Sequence, residues 1–217
     1  SGVTIQLNTV ANKDTLSDYD VIILSTGIQP RTPNIEGVEH SKVMSYIDVL
    51  KDKKEVGEKV AIIGAGGIGF DVAEYITHKG SSTALDTAAF LEEWGIDHQL
   101  NARGGIEGVV TEVPENPREV VMLQRKSSKV GAGLGKTTGW VHRISLRNKN
   151  VKMLNGVEYT KIDDKGLHYK RKNKDHVLEV DNVIICAGQL SNNELFIPLK
   201  EMGKEVHLIG GADQALE

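Results

Sequence analysis

The sequence predicts an α/β protein, and three observations support that fold class. Short apolar runs of strand length alternate with segments of helical period along the 217 residues. A glycine-rich segment, G-x-G-x-x-G at residues 64–69, lies directly between an apolar run and a helical pattern. Residues 20–27 and 181–188 repeat one pattern, an aspartate followed by an apolar run that ends in a small residue and glycine. This repeat indicates two related domains.

Composition narrows the classes of function. The chain is 39% hydrophobic and 26% charged, which is ordinary for a globular protein, and its net charge of −4 argues against nucleic acid as a partner. It shows no apolar run of about 18 residues and no signal-peptide pattern, so we expect no membrane partner. The one cysteine, Cys186, excludes an intrachain disulfide and a cysteine-built metal site, and a cytoplasmic location is the natural expectation.

The elements before the glycine-rich segment are mostly strands. Residues 3–7 alternate apolar and polar side chains, which predicts a half-buried strand. Residues 20–27 predict an apolar strand that ends in Thr26 and Gly27. Two prolines favour an extended connection over residues 29–33, and residues 44–53 predict a short helix or turn.

The glycine-rich segment predicts a dinucleotide-binding turn between a buried strand, residues 60–63, and a helix. Gly64 permits the tight turn, Gly66 lets the backbone approach a pyrophosphate, and Gly69 lets the helix pack closely on the strand. Gly67 belongs to the same turn. The unpaired N–H groups and the helix dipole would then hold the diphosphate. An ordinary glycine-rich turn is the alternative, and the flanking strand and helix make it the weaker one.

The second strand of this unit follows unusually late. A simple nucleotide-binding unit places it within about 20–30 residues of the glycines. Here residues 79–118 intervene as an insertion with a candidate helix at 84–94, and the strand follows at 120–123. Residues 138–148 then predict a helix with three inward side chains, Trp140, Val141 and Ile144.

The rest of the chain predicts further strands. Residues 151–154 form a third short strand, and residues 158–180 alternate around two turns, which indicates a meander of three antiparallel strands. A buried strand at 181–188 ends in Gly188, residues 194–202 are helical, and residues 207–213 end a last strand.

The end of the second strand decides between NADPH and NADH. An NAD site carries Asp or Glu there to bind the ribose 2′-hydroxyl, whereas this chain has Gln124 followed by Arg125, Lys126 and Lys129. Arginine offers a bidentate fork to a 2′-phosphate, which a carboxylate would repel. Residues 118–149 hold eight Lys or Arg against one acid, so we predict NADPH with Arg125 as its main contact. A solvated basic turn is the alternative.

The sequence gives little support for a P-loop, a metal site or a reactive thiol. The Gly135-Lys136-Thr137 run lacks the first glycine of a P-loop, because that position is Val130. The histidines show no metal-ligand spacing, so no metal site is predicted. Cys186 lies inside a buried strand, which predicts an inert thiol.

The repeated strand predicts an incomplete domain. One such strand closes each dinucleotide-binding domain, yet the chain holds one G-x-G-x-x-G. We therefore expect the partner glycines upstream of Ser1 and expect the chain to be a fragment. The predicted division is residues 1–51 and 190–217 as parts of a truncated FAD-binding domain, with a Rossmann-like NADPH-binding domain at 52–189 inserted between them.

The whole chain resembles flavoproteins with two dinucleotide-binding domains, and most closely the C-terminal region of bacterial 2,4-dienoyl-CoA reductases. The residues that carry the resemblance are 24–33 (LSTGIQPRTP), 64–70 (GAGGIGF), 93–97 (EWGID), 121–126 (VMLQRK), 133–140 (GLGKTTGW) and 206–213 (VHLIGGAD). It implies that NADPH reduces FAD, and that electrons pass through a 4Fe–4S cluster to FMN in a barrel that reduces the dienoyl-CoA. The barrel, the cluster cysteines and the catalytic residues have no counterpart here.

The resemblance also implies FAD contacts within this chain. These are Thr26, Gly27, Gly211 and Asp213, and Gly188 is included among the cofactor-binding residues. Asp213 can accept a hydrogen bond from a flavin-side hydroxyl, and its alternative role is to cap a helix. The expected partners are NADPH and the rest of the same polypeptide. Two other functions stay open: an amine dehydrogenase type of flavoprotein, and a non-enzymatic adenine-nucleotide-binding module.

Overall fold

The computed structural model describes residues 2–113 and 115–215. The chain divides into two compact units, which we call the terminal unit (Ser1–Arg31 and Gly188–Glu217) and the central unit (Thr32–Ala187). The central unit thus lies within the sequence of the terminal unit, as the predicted insertion of one domain into another requires.

The strands and helices follow one another in the predicted alternation. The strands are β1 (Val21–Leu24), β2 (Ile28–Pro30), β3 (Val43–Ser45), β4 (Lys59–Ile63), β5 (Glu119–Leu123), β6 (Lys152–Leu154), β7 (Val157–Asp163), β8 (Gly166–Arg171), β9 (Lys174–Leu178), β10 (Asn182–Ile185), β11 (Gln189–Ser191) and β12 (Glu205–Leu208). The α-helices are α1 (Tyr46–Leu50), α2 (Gly67–Ile76), α3 (Thr87–Trp94), α4 (Gly139–Asn148) and α5 (Phe196–Glu201).

The central unit is built on a five-stranded parallel sheet in the order β3-β10-β4-β5-β6. Strands β4 and β5 are buried at every position after the first. Their continuous apolar sequences are typical of parallel strands that are covered on both faces. The α/β fold class predicted from the sequence is therefore confirmed.

Two layers cover the sheet. Helices α1, α2 and α4 pack on one face, where the buried core includes Phe70, Val72, Met122 and Leu146. The antiparallel meander β7-β8-β9 packs on the other face through Val157, Ile162, Leu167 and Tyr169. The predicted meander is confirmed, and its second turn has Lys172 and Asn173 at positive φ, as two-residue hairpins require.

The insertion in the central unit forms a short surface helix. A 3-10 turn at Thr83–Leu85 leads into α3, whose N-cap Asp86 accepts hydrogen bonds from the N–H groups of Ala88 and Ala89. Gly95 ends the helix in the left-handed conformation. No side chain of α3 is buried, so this helix contributes little to the core.

The terminal unit pairs β1 with β12 in parallel and β2 with β11 in antiparallel. Its small core contains Ile22, Leu24, Leu199 and Val206. These residues come from the beginning and the end of the sequence, and the pairings of β1 with β12 and of β2 with β11 join the two segments. No helix among the described residues is long and apolar enough to cross a membrane.

The structure corrects three sequence predictions. Residues 3–7 form no strand, because Val3 and its apolar neighbours are exposed and pair with no other strand that the structure describes. Trp140 is 52% exposed, and its indole N–H donates to the carbonyl of Thr137, while Leu146 occupies the inward position of α4. Residues 32–51 belong to the central unit, because β3 pairs with β10.

One arginine of the predicted basic region has a structural role instead. The guanidinium of Arg118 donates to the carbonyls of Val56, Gly57 and Ile76 at 2.8–3.2 Å. It therefore joins β5 to the segment before β4 and to the end of α2, and it is not available to an anion.

Replacing Arg118 should destabilise the protein. Arg118→Ala leaves the three carbonyls without this donor, so we expect a loss of about 2–3 kcal/mol and a melting temperature lower by roughly 6 °C. The measurement is thermal unfolding by circular dichroism. Arg103→Ala, at an exposed position of the insertion, is the matched control. Equal melting temperatures for the two variants would contradict the structural role.

Candidate functional site

The glycine-rich segment lies at the carboxyl edge of the parallel sheet. It connects β4 to α2, which leads on to β5 on one side, while the neighbour of β4 on the other side is β10. The connection after β4 leads through α2 to β5, whereas the chain after β10 leaves the sheet for β11, and in open α/β sheets a crevice forms where neighbouring strands are connected in different directions. Open α/β sheets bind their ligands at such a crevice.

Gly64 and Gly69 are glycine because other backbone atoms come too close for a side chain. Gly64 has φ +108°, and a Cβ there would lie 2.1 Å from the carbonyl oxygen of Cys186. A Cβ on Gly69 would lie 2.2 Å from the carbonyl oxygen of Gly64. The roles predicted for these two glycines, a tight turn and close packing of helix on strand, therefore match the geometry.

Gly66 and Gly67 stand at the open side of the turn. Gly66 is the N-cap of α2, and no side chain caps this helix end. A Cβ on Gly67 would meet no atom of the protein within 4 Å. The N-terminal end of α2 is therefore open at Gly67, and the unpaired N–H groups and dipole of such a helix end favour a diphosphate.

Backbone hydrogen bonds fix this turn to both neighbouring strands. The N–H of Gly64 donates to the carbonyl of Leu123 at 2.9 Å, and the N–H of Cys186 donates to the carbonyl of Ile63 at 2.7 Å. These bonds tie the carboxyl ends of β4, β5 and β10 to one another.

The basic loop, which we define as residues 124–129, follows β5 at the same edge. Arg125, Lys126 and Lys129 are exposed, and no described carboxylate forms an ion pair with any of them. Burial raises the pKa of the Tyr159 phenol, and the positive charge of Arg125 opposes part of that rise. The three cationic side chains predicted to bind the 2′-phosphate thus belong to one loop at the carboxyl edge of the sheet.

Gln124 does not point toward a ligand. Its side-chain amide donates to the carbonyls of Lys126 at 3.1 Å and Ser128 at 2.6 Å. The residue that takes the place of an NAD-binding carboxylate therefore closes the loop on itself. Sequence reasoning missed this role, because a glutamine carries no signal that distinguishes an internal bond from a ligand contact.

The remaining basic residues of the island are dispersed. Lys149 is buried at the C-terminal end of α4, and Arg143 donates to the carbonyl of Gly131. Lys136 is exposed in the glycine-rich loop that precedes α4. The prediction of one anion site across residues 118–149 is therefore too broad, and the basic loop is its relevant part.

In the terminal unit, the residues predicted to contact FAD lie near the β2–β11 pair. The hydroxyl of Thr26 donates to the carbonyl of Asn192, and the N–H of Asn192 donates to the carbonyl of Gly27. A Cβ on Gly211 would lie 2.7 Å from the side chain of Ile28. Asp213 is exposed, its N–H donates to the carbonyl of Gly210, and a helix beginning at the end of the chain would fall outside the described residues.

Gly188 belongs to the terminal unit, whereas the sequence placed it with the NADPH-binding domain. It has φ +93°, and its carbonyl accepts the N–H of Arg31 at 3.1 Å. Gly188 thus follows the unit boundary directly. Its role as a cofactor contact stays a prediction.

Cys186 is buried at the carboxyl end of β10. Burial, with a smaller effect from Asp71, raises the pKa of its thiol to about 12. A buried thiol with a raised pKa holds little thiolate at neutral pH, which agrees with the expectation of an inert thiol. Among the described residues, no group of His, Cys, Asp and Glu could hold a metal ion.

The family model for pyridine nucleotide-disulphide oxidoreductases matches residues 2–214. The chain belongs to this family. Its members include flavin-dependent reductases and NADH oxidases. A Rossmann-type fold that binds a flavin and a pyridine nucleotide is typical of the family.

Curated relatives give the same classification. A metal reductase of Desulforamulus reducens is 24% identical over 97% of this chain and 31% of its own length. A cinnamate reductase of Clostridium sporogenes is 26% identical over 98% of this chain and 27% of its own length. An NADH oxidase of Thermoanaerobacter brockii is 38% identical over 98% of this chain and 28% of its own length. The chain therefore spans less than a third of the length of these relatives.

Solved structures share the fold. A 2-naphthoyl-CoA reductase in complex with 2-naphthoyl-CoA aligns with a TM-score of 0.74 and 24% identity, over 100% of this chain and 28% of the other. The amine oxidase HisD of Pseudomonas geniculata aligns with a TM-score of 0.68 and 17% identity, over 99% of this chain and 29% of the other. At these identities the likeness concerns the fold alone.

The close contacts in the turn predict that a side chain at Gly69 destabilises the protein and that one at Gly67 does not. Gly69→Ala places a methyl group on the Gly64 carbonyl, so we expect a loss of several kcal/mol in unfolding free energy or failure to fold. Gly67→Ala meets no protein atom and lies in a helix, so we expect unchanged or slightly higher stability. Urea unfolding of both variants checks this. Equal stability of the two would contradict the close approach of α2 to β4.

The buried thiol predicts slow chemical modification. In the folded protein at pH 8, Cys186 should react with a thiol reagent at least roughly 100-fold more slowly than in urea, because the thiolate is the reactive form. Absorbance at the wavelength of the released chromophore measures both rates. Rapid modification of the folded protein would show that the end of β10 is open to solvent.

Proposed function

We propose that this chain is the NADPH-binding, hydride-entry portion of a flavin-dependent reductase that acts on 2,4-dienoyl-CoA thioesters. The observation that carries the proposal is the arrangement at one edge of the sheet. The uncapped N-terminus of α2 follows β4, and Arg125 and Lys126, which form no ion pair with any residue that the structure describes, follow the adjacent strand β5. Diphosphate and 2′-phosphate are the two anions of NADPH that these groups would hold.

The basic loop supports NADPH over NADH. A carboxylate at the end of the second strand would accept a hydrogen bond from the ribose 2′-hydroxyl. Gln124 occupies that position, and its amide is engaged within the loop. Arg125 and Lys126 are exposed and lack ionic partners among the described residues, so a phosphate would gain charge-assisted hydrogen bonds there.

A pair of solved oxidases offers a chemical parallel. One is described as a water-forming NADH oxidase bound to NADH, and the other as its engineered NADPH oxidase bound to NADPH, with TM-scores of 0.50 to this chain. The engineered protein loses an aspartate and gains two arginines and a serine. Loss of an acid with gain of guanidinium groups is the chemistry that the basic loop presents. The Thermoanaerobacter relative is named an NADH oxidase, so the affinities of this chain for NADPH and NADH should be compared directly.

The cofactors have defined roles in this proposal. NADPH, when bound, supplies a hydride to FAD, and the open space above Gly67 is compatible with its diphosphate. Gly64, Gly66, Gly67 and Gly69 shape that space. Thr26, Gly27, Gly211 and Asp213 would contact FAD, where an exposed carboxylate suits a flavin-side hydroxyl. The resemblance implies FMN and a 4Fe–4S cluster in the rest of the polypeptide, and this chain's one cysteine could not supply the cluster's ligands.

The substrate follows from the resemblance and not from a pocket in this chain. The motif residues shared with 2,4-dienoyl-CoA reductases extend from residue 24 to residue 213. One structural neighbour is described as a reductase of an aromatic acyl-CoA, and one relative is named for the reduction of cinnamate, a conjugated acid. Reduction of a double bond conjugated to an acyl group is the chemistry that these names share with the proposal.

An amine dehydrogenase type of flavoprotein is the second candidate. Two structural neighbours support it: the amine oxidase HisD and a histamine dehydrogenase of Rhizobium, the latter with a TM-score of 0.65. A vestigial nucleotide site would not need a cationic loop beside it, so Arg125 and Lys126 favour the reductase. A non-enzymatic adenine-nucleotide-binding module would bind ADP without turnover.

Arg125 should govern the choice of nucleotide. Arg125→Ala removes the bidentate contact to the 2′-phosphate, so we expect the Kd for NADPH to rise by about 10- to 100-fold while the Kd for NADH changes little. Isothermal titration calorimetry of the 217-residue chain with each nucleotide measures both constants.

Arg103→Ala in the insertion is the matched arginine control and should leave both constants unchanged. Equal affinity of the unaltered chain for NADPH and NADH would overturn the assignment of the cofactor. Turnover of a dienoyl-CoA by the full-length protein with NADPH would exclude the non-enzymatic alternative.

A further inference from the structure

Most carbonyl groups of the basic loop accept hydrogen bonds from donors of the protein. The carbonyl of Lys126 accepts the N–H of Gly156 at 3.0 Å in addition to the amide of Gln124. The carbonyl of Gln124 accepts the N–H of Val157 at 3.1 Å. A backbone oxygen on the outer side would repel a phosphate, so this orientation favours an anion on the side where the cations are exposed.

Asn155 provides the donors for the middle of the loop. Its side-chain amide donates to the carbonyl of Ser127 at 2.7 Å and lies 3.4 Å from the carbonyl of Ser128. Asn155 is partly buried in the connection between β6 and β7, on the protein side of the loop. It touches none of the three cationic side chains in the hydrogen bonds described, so its influence on a ligand would act through the loop.

Arg171 fixes which way the Asn155 amide faces. Its Nε donates to the backbone carbonyl of Asn155 at 3.0 Å, and its Nη2 donates to the side-chain oxygen at 3.1 Å. A guanidinium has donors only, so it must face the amide oxygen. The NH₂ group is consequently directed at the carbonyls of Ser127 and Ser128.

We infer that Asn155, oriented by Arg171, is a positioning residue that makes the basic loop selective for a ribose 2′-phosphate. This inference rests on the proposed function, in which Arg125 contacts the 2′-phosphate directly. It adds that residues on the meander side of the sheet hold Arg125 in place. Arg171 ends β8 and Asn155 precedes β7, so the antiparallel meander acts as the support of the specificity loop. Removal of the Asn155 amide leaves the carbonyl of Ser127 without this donor, and loss of Arg171 lets the amide turn, so that the loop no longer holds Arg125 at the phosphate position.

The test uses two small probes that differ in the 2′-phosphate, 2′,5′-ADP and 5′-AMP. In Asn155→Ala we expect the Kd of 2′,5′-ADP to rise by about tenfold, since the loop loses two donors, while the Kd of 5′-AMP stays within about twofold. Arg171→Lys keeps the charge but loses the fork, and we expect a smaller rise of roughly threefold for 2′,5′-ADP alone. Calorimetric titration of the whole chain gives both constants.

A double variant separates positioning from general destabilisation. In the Arg125→Ala background, Asn155→Ala should raise neither Kd further, because its effect acts through Arg125. A structural role would weaken both probes in both backgrounds. Asn34→Ala, at an exposed asparagine of the central unit, is the matched control and should change neither constant.

The outcomes distinguish the two proposals. Equal affinity of the unaltered chain for both probes would overturn the proposed cofactor and this inference together. Strong selectivity that Arg125→Ala abolishes but both Asn155→Ala and Arg171→Lys retain would overturn the positioning role alone. Selectivity lost in Asn155→Ala, with 5′-AMP affinity intact, would establish it.

Discussion

Close contacts between backbone atoms at Gly64 and Gly69 hold the carboxyl edge of the central sheet together. The carbonyl of Cys186 lies where a side chain of Gly64 would be, and the carbonyl of Gly64 lies where one of Gly69 would be. These contacts bring the N-terminus of α2 against the ends of β4 and β10. Without them the helix would lie farther from the sheet, and its first N–H groups would not converge on the crevice.

The second constraint is the orientation of backbone dipoles in the basic loop. Exposed lysine and arginine side chains are common on protein surfaces and bind nothing specific on their own. The side-chain amides of Gln124 and Asn155 donate hydrogen bonds to backbone carbonyls of this loop, and these carbonyls therefore face inward. A surface with cations and without opposing oxygens is a better anion site than one with charge alone.

Much of the central unit could be predicted from the sequence because its signals are local. Residues 60–63 and 120–123 are continuous apolar runs, and the structure places them as adjacent buried strands. The meander was predictable because residues 158–180 alternate around clear turns. The α/β fold, the Rossmann-like unit and the position of the glycine-rich turn were therefore all accessible, and the family match supports them.

The sequence predictions are wrong where the structure of a segment depends on residues far away in the sequence. Residues 3–7 alternate like a strand but lack a partner in the described chain, and the sequence could not show that. The membership of β3 in the central sheet depends on its pairing with β10, far along the chain. Arg118 resembled the other cations of its region, and only the carbonyls of Val56, Gly57 and Ile76 reveal its structural role. The contacts of the predicted cofactor residues themselves remain predictions.

The most direct test of the account is a titration of the ¹⁵N-labelled chain with NADPH, followed by amide chemical shifts. We expect the amides of Gly66, Gly67 and Gly69 and those of residues 125–129 to shift together, with one common dissociation constant. Shifts confined to other parts of the central unit, or at the glycines with no change in the basic loop, would contradict it.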